Sequence, residues 1–236
     1  MLAGPEGARL EHYWAAQLRD GTPPLELWAS RAQVDEAAAR AGTQAFTLSA
    51  ELTQRLKALG QQQNATLFVT LLAAFQTLLH RFTGQEEFLL GAPVMGRRRV
   101  EWAGMLGYLV NPVVLRADLT GNPRFVDLLA RAEKTAREAF AHQDYPFALL
   151  AERMKLRGES ASASLLQVMF VMQQAAAEGD ATLAAFALGA AGAEMELGGL
   201  RLEAMATPAT AAQFPLTLTV AEHQRGIVAR WSYDRS

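Results

Sequence analysis

Four short segments carry the residue types in this sequence that could act on a ligand: residues 91–99, 106–111, 142–147 and 231–234. The first places two glycines around a predicted strand end, and three arginines follow directly. Glycine lets a backbone approach a ligand closely, and a guanidinium can bind an anion or a buried carboxylate. The alternative is an ordinary turn with solvated arginines, because a lone glycine-rich loop has little specificity.

Asn111 lies in an otherwise apolar stretch, directly before Pro112, within a strand predicted for residues 108–115. A buried amide needs hydrogen-bond partners, so Asn111 is either a structural hub or a group of a binding site. We expect its side chain to be desolvated and hydrogen-bonded to the loop that follows Gly96. Arg98, on the same loop, is expected to be solvated.

His142 and Asp144 lie between two predicted helices. The helix macrodipole favours a histidine at a C-terminus, and Asp144 is a reasonable N-cap for the helix that follows. This structural explanation is sufficient, so we assign His142 no catalytic role. His80 is expected to pack on an apolar helix, while His12 and His223 lack an acidic or nucleophilic companion at motif spacing. The sequence contains no serine elbow, metal-ligand helix or phosphate-binding loop.

The composition is that of an ordinary globular protein, with 236 residues, 50% of them hydrophobic and 19% charged. A formal charge of −2 argues against a nucleic-acid partner, which would need a basic face. The sequence has no cysteine, which excludes disulfides and thiolate metal sites. We also find no signal-peptide pattern and no apolar stretch long enough to span a membrane, so we expect a cytoplasmic protein.

The hydrophobic pattern predicts helices interleaved with strands, and then mainly strands. Helices are predicted at residues 10–18, 49–60, 64–82 and 123–142 and from residue 146, and strands at 44–48, 87–94, 108–115, 166–172, 200–204, 216–220 and 227–231. Ser49 is expected to cap the second helix, and Pro123 to lie in the first turn of the fourth. Residues 175–193 resist assignment. The fold class predicted is α/β, with a mixed β-sheet and packed helices.

Taken in order, these segments resemble the later core motifs of the condensation domain of nonribosomal peptide synthetases. Those motifs are a strand and loop ending in Gly-Arg, a Gly-x-x-x-Asn segment, a His-Gln-Asp-x-Pro-Phe segment and the start of a final motif. The matching residues are Gly96, Arg97, Gly107, Asn111, His142, Gln143, Asp144, Pro146, Phe147, Tyr233 and Asp234. Residues 11–14, with Tyr13 and Trp14, also match a helix of the family. The sequence departs from the pattern at Ala148, where glutamate is common, and at Pro215, where aspartate is usual.

The resemblance implies one lobe of a chloramphenicol-acetyltransferase-like fold, in which two similar lobes form a V. The family's catalytic signature, His-His-x-x-x-Asp-Gly, does not occur, since no two histidines are adjacent. The chain is therefore similar to the C-terminal lobe without the reactive half. On this interpretation residues 1–43 are a helix and connector from the inter-lobe region, residues 44–236 are the lobe, and Met1 is an internal or cloned start.

The resemblance also implies partners and roles. The parent enzyme joins a donor acyl and an acceptor aminoacyl thioester, which two carrier proteins present on phosphopantetheine arms; no cofactor binds the chain directly. Gly96, Arg97, Gly107 and Asn111 would belong to a floor loop or tunnel, and the other matching residues would be structural. A latch at residues 203–214 and the floor loop at 94–108 would meet the N-terminal lobe, whose absence would favour self-association.

Alternatives of the same fold remain. One is a non-catalytic carrier-docking module; the others are lobes of epimerisation or heterocyclisation domains. The His-Gln-Asp-x-Pro-Phe segment favours condensation over epimerisation, whereas heterocyclisation is distinguished by an aspartate-rich version of the absent motif.

Overall fold

The protein forms two compact units, Met1–Leu27 with Leu72–Gln167 and Trp28–Leu71 with Val168–Ser236. The computed structural model describes residues 4–18, 25–27, 41–97, 100–102, 104–156, 165–173, 186, 188, 194–205, 212–223 and 226–234. We refer to the two units as the first and the second unit.

The first unit combines one antiparallel strand pair with helices. Its elements are α1 (Pro5–Gln17), most of α3 (Leu67–Thr83), β2 (Glu87–Val94), a 3₁₀ turn (Val100–Trp102), β3 (Asn111–Asp118), α4 (Phe125–Ala141) and α5 (Phe147–Leu156). Strands β2 and β3 pair from Glu87 opposite Asp118 to Val94 opposite Asn111. Helix α4 packs on β3 through an apolar stripe of Leu128, Leu129, Ala132, Ala136 and Ala139, all of which are buried.

The predicted elements of this unit are largely confirmed, with shifts at their ends. Strand β2 coincides with the prediction, but β3 begins at Asn111 and not at Tyr108. The reason is that β2 ends at Val94, just before Gly96 turns the chain with a φ of 66°, so Tyr108 has no paired residue opposite it. The N-cap position of α4 is Arg124, whose side chain makes no capping hydrogen bond, so Pro123 lies before the helix and not in its first turn.

The second unit contains a mixed sheet. Its elements are β1 (Ala41–Ser49), α2 (Ala50–Gln62), the first turn of α3, β4 (Val168–Gln173), β5 (Glu194–Leu197), β6 (Leu200–Glu203), β7 (Leu216–His223) and β8 (Gly226–Asp234). Four strands lie in the order β1-β8-β7-β4, where β4 and β7 are parallel and the other pairs antiparallel. Strands β5 and β6 form a separate hairpin. The predicted α/β class with a mixed sheet and packed helices is confirmed.

Two features of this unit differ from the sequence interpretation. Strand β1 begins at Ala41, three residues before the predicted start at Gln44, and it pairs with β8 without a break as far as Ser49 opposite Gly226. Strand β5 was not predicted. Apart from residues 186 and 188, the segment 175–193 lies outside the described residues, as does the middle half of the predicted latch, 206–211.

Aromatic pairs and an ion pair between α2 and β7 contribute to the packing of the second unit. The rings of Phe68 and Phe170 have centroids 5.2 Å apart, and those of Phe46 and Trp231 stack 6.1 Å apart. Lys57 of α2 forms an ion pair with Glu222 of β7.

Within the described residues, no single helix is long and apolar enough to cross a membrane. Helices α2 and α3 reach the required length and hydrophobicity only when taken together, and the chain bends by 102° between them.

The predicted N-cap at Ser49 is confirmed, because its side chain accepts a hydrogen bond from the Leu52 N–H at 3.2 Å. Ser49→Ala should lower the free energy of unfolding by about 1 kcal/mol in a denaturant titration, since one amide of the first turn loses its acceptor. Ser49→Asp keeps an acceptor and should change stability much less. Thr47→Ala, at an exposed position of the same strand, is the control. Equal losses for the alanine and aspartate variants would contradict the capping role.

Candidate functional site

The loop after β2 is closed by Arg97. Its Nη2 donates to the carbonyl oxygens of Met105 and Gly107, each at 3.1 Å. The guanidinium therefore binds the backbone of its own loop. Gly96 is needed at the start of this loop, because a Cβ added there would lie 2.1 Å from the carbonyl oxygen of Leu109. Arg98 and Arg99 lie outside the described residues.

Apolar side chains of this loop lie in solvent. The exposed fraction is 72% for Met95, 89% for Val100, 101% for Leu106 and 82% for Tyr108. Single exposed hydrophobic residues are common, but several on one short loop indicate an interaction surface. We call this set the apolar loop.

Asn111 links the first residue of β3 to the start of α5. Its Nδ2 donates to the carbonyl oxygens of Gln143 and Tyr145 at 2.9 Å each, and its Oδ1 accepts from the Phe147 N–H, also at 2.9 Å. Both amide hydrogens and the oxygen are thereby used. These contacts favour the structural hub over the site group.

The partners expected for Asn111 were wrong, and so was the N-cap proposed for the next helix. The described contacts of Asn111 are with the corner between α4 and α5, and none is with the described residues of the loop that follows Gly96. Asp144 lies too early to cap α5, since the residue directly before that helix is Pro146. Proline has no side-chain oxygen, so the Phe147 N–H takes its acceptor from Asn111, 36 residues away.

His142 is the C-cap of α4, and both of its ring nitrogens are engaged. Nδ1 lies 2.8 Å from the carbonyl oxygen of Glu138, and Nε2 lies 2.7 Å from Nη1 of Arg9. Arginine can only donate, so Nε2 accepts and the ring proton is on Nδ1. An imidazole in this state has no nitrogen left for proton transfer to a substrate.

Helix α1 covers the same corner. The Tyr13 ring stacks on the His142 ring with centroids 3.8 Å apart and an interplanar angle of 9°. Trp14 Nε1 donates to the carbonyl oxygen of His142 at 3.1 Å. Burial, aided by the charge of Glu138, raises the pKa of the Tyr13 phenol well above its usual range, so the ring stays neutral.

Arg9 is the residue that sequence reasoning missed. It lies one helical turn before Tyr13, so both side chains lie on the same face of α1. Its hydrogen bond to Glu6, at 2.7 Å, lowers the pKa of that carboxyl group; burial opposes this shift, and the charge of Arg9 reinforces it. The i, i+4 spacing of Arg9 and Tyr13 indicated that both side chains lie on one face of the helix, but it did not predict that both contact His142.

The remaining predicted residues have structural contacts. Gln143 Nε2 donates to the carbonyl oxygen of Phe140 at 2.7 Å. Tyr233 and Asp234 belong to the second unit, where Tyr233 pairs with Gly42 of β1 and the Asp234 N–H donates to the carbonyl oxygen of Pro215 at 3.1 Å. A Cβ added at Gly42 would lie 2.4 Å from the Tyr233 ring. The structure thus brings Asn111 and residues 142–147 together in the first unit.

Asn111→Ala should lower the free energy of unfolding by about 1–3 kcal/mol, because two carbonyls and one amide lose their partner. Asn111→Asp keeps the acceptor for Phe147 but places a carboxylate against two carbonyl oxygens, so it should be no less destabilising near neutral pH. Hydrogen exchange at the Phe147 amide should accelerate in the alanine variant and much less in the aspartate variant. Gln62→Ala, at an exposed amide, should cost less than roughly 0.5 kcal/mol.

Three glycine-to-alanine substitutions in one loop distinguish the cost of a positive φ from the cost of a steric clash with the new Cβ. Gly96→Ala combines a φ of 66° with a collision against backbone and should cost about 2 kcal/mol or more. Gly107→Ala has the unfavourable φ, 146°, but open space, and should cost less. Gly104→Ala has neither problem and should be neutral or slightly stabilising. Equal denaturation midpoints for all three would show that the Gly96–Leu109 approach is not constrained.

Sequence comparison assigns this fold to a known family. The family model "Condensation domain" matches residues 1–236. The chain is 36% identical over 239 residues to one of the linear gramicidin synthase proteins of Brevibacillus parabrevis, covering 100% of this chain and 4% of that protein. It is 35% identical over 233 residues to phosphinothricin tripeptide synthetase PhsB of Streptomyces viridochromogenes, covering 99% of this chain and 18% of that protein. The chain thus spans a small part of these relatives.

Solved structures show the same fold at low identity. The first condensation domain of the calcium-dependent antibiotic synthetase matches with a TM-score of 0.70 at 17% identity, covering 98% of this chain and 46% of that one. The X-domain from teicoplanin biosynthesis matches with a TM-score of 0.74 at 22% identity, covering 98% of this chain and 50% of that one. The EpoB cyclization-docking bidomain from Sorangium cellulosum matches with a TM-score of 0.73 at 18% identity, covering 99% of this chain and 45% of that one. On the match of its whole length to the family model and its identity to the synthetases, the chain belongs to the Condensation domain family.

Proposed function

We propose that the chain is the C-terminal lobe of a two-lobed condensation domain that forms an amide bond in a nonribosomal peptide synthetase. The observation that carries this proposal is the match of the family model to all 236 residues. The solved relatives support the assignment to one lobe, since this fold covers 98% of the chain but only 46% and 50% of the condensation domain and the X-domain. Residues 1–43 would be the helix and connector from the inter-lobe region, and residues 44–236 the lobe.

The reaction proposed for the parent enzyme joins two thioesters. The amine nitrogen of the acceptor aminoacyl group attacks the carbonyl carbon of the donor thioester. A C–N bond forms, the donor C–S bond breaks, and the thiol of the donor phosphopantetheine arm leaves with the proton that the amine loses. Holding both arms in one tunnel would raise their effective concentration and exclude water.

The role proposed for this chain is to shape and support that tunnel, not to transfer the proton. The imidazole of His142 is occupied at both nitrogens by Arg9 and Glu138. Asn111 is likewise occupied by backbone groups of residues 143–147. These contacts support a scaffold role for the corner. Gly96, Arg97 and Gly107 would form the floor loop, in which the guanidinium of Arg97 fixes the backbone.

The apolar loop suggests where the N-terminal lobe would bind. Leu106 and Tyr108 are 101% and 82% exposed, which is costly for apolar side chains unless another surface covers them. Interfaces within one chain commonly bury about 600–1,500 Å², and a single loop could supply part of such an area. The other proposed partners are the donor and acceptor carrier proteins with their phosphopantetheine arms, in the cytoplasm.

A second candidate is a module of this fold that does not form amide bonds. The likeness to the X-domain and to a cyclization-docking bidomain is as strong as that to a condensation domain, by TM-scores of 0.74, 0.73 and 0.70. Fold alone therefore does not discriminate among a non-catalytic docking module, a cyclisation lobe and an epimerisation lobe. The His-Gln-Asp-x-Pro-Phe segment at residues 142–147 favours condensation over epimerisation, whereas the docking module and the cyclisation lobe are distinguished by the His-His-x-x-x-Asp-Gly motif of the other lobe.

The proposal predicts complementation. The chain alone, mixed with loaded donor and acceptor carrier proteins, should give no amide above the uncatalysed rate. Addition of the N-terminal lobe encoded with it, carrying the His-His-x-x-x-Asp-Gly motif, should restore amide formation, detected by mass spectrometry of the acceptor arm. Replacing the second histidine of that lobe with alanine should abolish it.

Two variants of this chain sharpen the experiment. Leu106→Asp should weaken complementation because it places a charge in the proposed lobe interface, whereas Leu78→Asp, on α3 and 50% exposed, should not. Amide formation by the chain alone that is lost in His142→Ala would overturn both the scaffold role and the division of labour between lobes. Failure of the restored pair to form any amide would favour the docking module.

A further inference from the structure

A continuous series of hydrogen bonds connects helix α1 to the first residue of β3. Trp14 Nε1 donates to the carbonyl oxygen of His142 at 3.1 Å. The same carbonyl accepts from the Tyr145 N–H at 3.3 Å. The carbonyl of Tyr145 in turn accepts from Nδ2 of Asn111 at 2.9 Å. An indole on α1 and an amide side chain on β3 are therefore linked through the corner between α4 and α5.

The β3 end of this series lies at the base of the floor loop. Asn111 pairs with Val94 in the last step of the β2–β3 ladder, and the loop extends from this pair. The end of a ladder opens more easily than its middle. Here the Asn111 side chain binds the backbone of residues 143–147, so the base of the loop is tied to the corner. Within the loop, the backbone at Gly96 lies so close to the Leu109 carbonyl that an added Cβ would clash.

The α1 end of the series is held by packing and by a second set of contacts. Trp14 is 3% exposed, and Leu10, one turn earlier on the same face, is 1% exposed. The Tyr13 ring stacks on His142, and Arg9 bonds to its Nε2, so the same helix fixes this residue at several points. A hydrogen bond in such a partly buried corner is stronger than one in water. The position of α1 therefore determines how the His142 carbonyl is held.

We propose that Trp14 is a positioning residue for the floor loop, acting through His142, Tyr145 and Asn111. A contiguous network of hydrogen bonds between packed elements can carry coupling of this kind. The effect on the loop is independent of the reaction. Its consequence for amide formation rests on the function proposed above, in which the N-terminal lobe covers the apolar loop. A loop that already has its bound conformation loses less conformational entropy when it is covered.

Hydrogen exchange on the 236-residue chain tests the coupling without any partner. Trp14→Phe keeps an aromatic ring but removes the indole donor. Exchange of the Met105 amide, which bonds to the Trp102 carbonyl at 3.2 Å within the loop, should accelerate by up to roughly fivefold. Leu10→Val is the control, because it removes a buried methylene from the same face of α1 and leaves the hydrogen bonds intact. It should lower the unfolding midpoint but leave the exchange of Met105 unchanged.

A double variant tests whether the contacts act in series. Asn111→Ala should also accelerate the exchange of Met105. Adding Trp14→Phe to it should change the rate little further, because the series is already interrupted at its far end. Independent, additive effects would overturn the proposal. Equal acceleration by Trp14→Phe and Leu10→Val would also overturn it, since Trp14 would then act by packing alone, as would no acceleration in Trp14→Phe.

Complementation with the N-terminal lobe separates this proposal from the function on which part of it rests. Trp14→Phe should raise the lobe concentration that gives half-maximal amide formation, by up to roughly fivefold, and leave the rate at saturating lobe unchanged. Leu10→Val should change neither quantity. An unchanged half-maximal concentration in Trp14→Phe would overturn the consequence for lobe binding. Failure of the unaltered pair to form amide would overturn the proposed function, while the exchange rates would still decide the coupling.

Discussion

The first unit depends on how the backbone groups between α4 and α5 find hydrogen-bond partners. A helix leaves unpaired carbonyls at its C-terminus and unpaired amides at its N-terminus, and here the two helix ends are separated only by residues 142–146. A buried group without a partner costs about 1–3 kcal/mol, so several such groups in one corner would prevent its folding. Asn111 and Trp14 supply the partners from β3 and α1.

This arrangement gives a physical reason for the motifs to occur together. The His-Gln-Asp-x-Pro-Phe segment leaves carbonyls of Gln143 and Tyr145 and the amide of Phe147 to be paired, and the asparagine of the Gly-x-x-x-Asn segment pairs all three. Neither segment is complete without the other. The contact joins residues 32 to 36 positions apart, so it fixes β3 against α5 independently of the loop between them.

Sequence reasoning identified the elements better than their partners. Periodicity predicted β2, α4 and the Ser49 cap, because these depend on neighbours in sequence. It misassigned the partners of Asn111, because hydrophobic periodicity describes local structure and carries no information about contacts 32 to 36 residues away. The available clue was negative: Pro146 cannot cap α5, so an acceptor had to come from elsewhere. The start of β3 was misplaced for a related reason, because apolar residues such as Val110 satisfy a strand pattern whether or not a paired strand reaches them.

The chemistry of the proposed lobe interface follows from how the floor loop is held. Arg97 binds the backbone carbonyls of Met105 and Gly107, so these two polar groups are paired within the loop. Apolar side chains such as Leu106 and Tyr108 are left exposed on the same loop. A surface of this kind is stabilised by contact with another apolar surface, because burial removes its side chains from water. The backbone contacts of Arg97 therefore fix the shape of the loop, while its exposed side chains supply the area that the N-terminal lobe would cover.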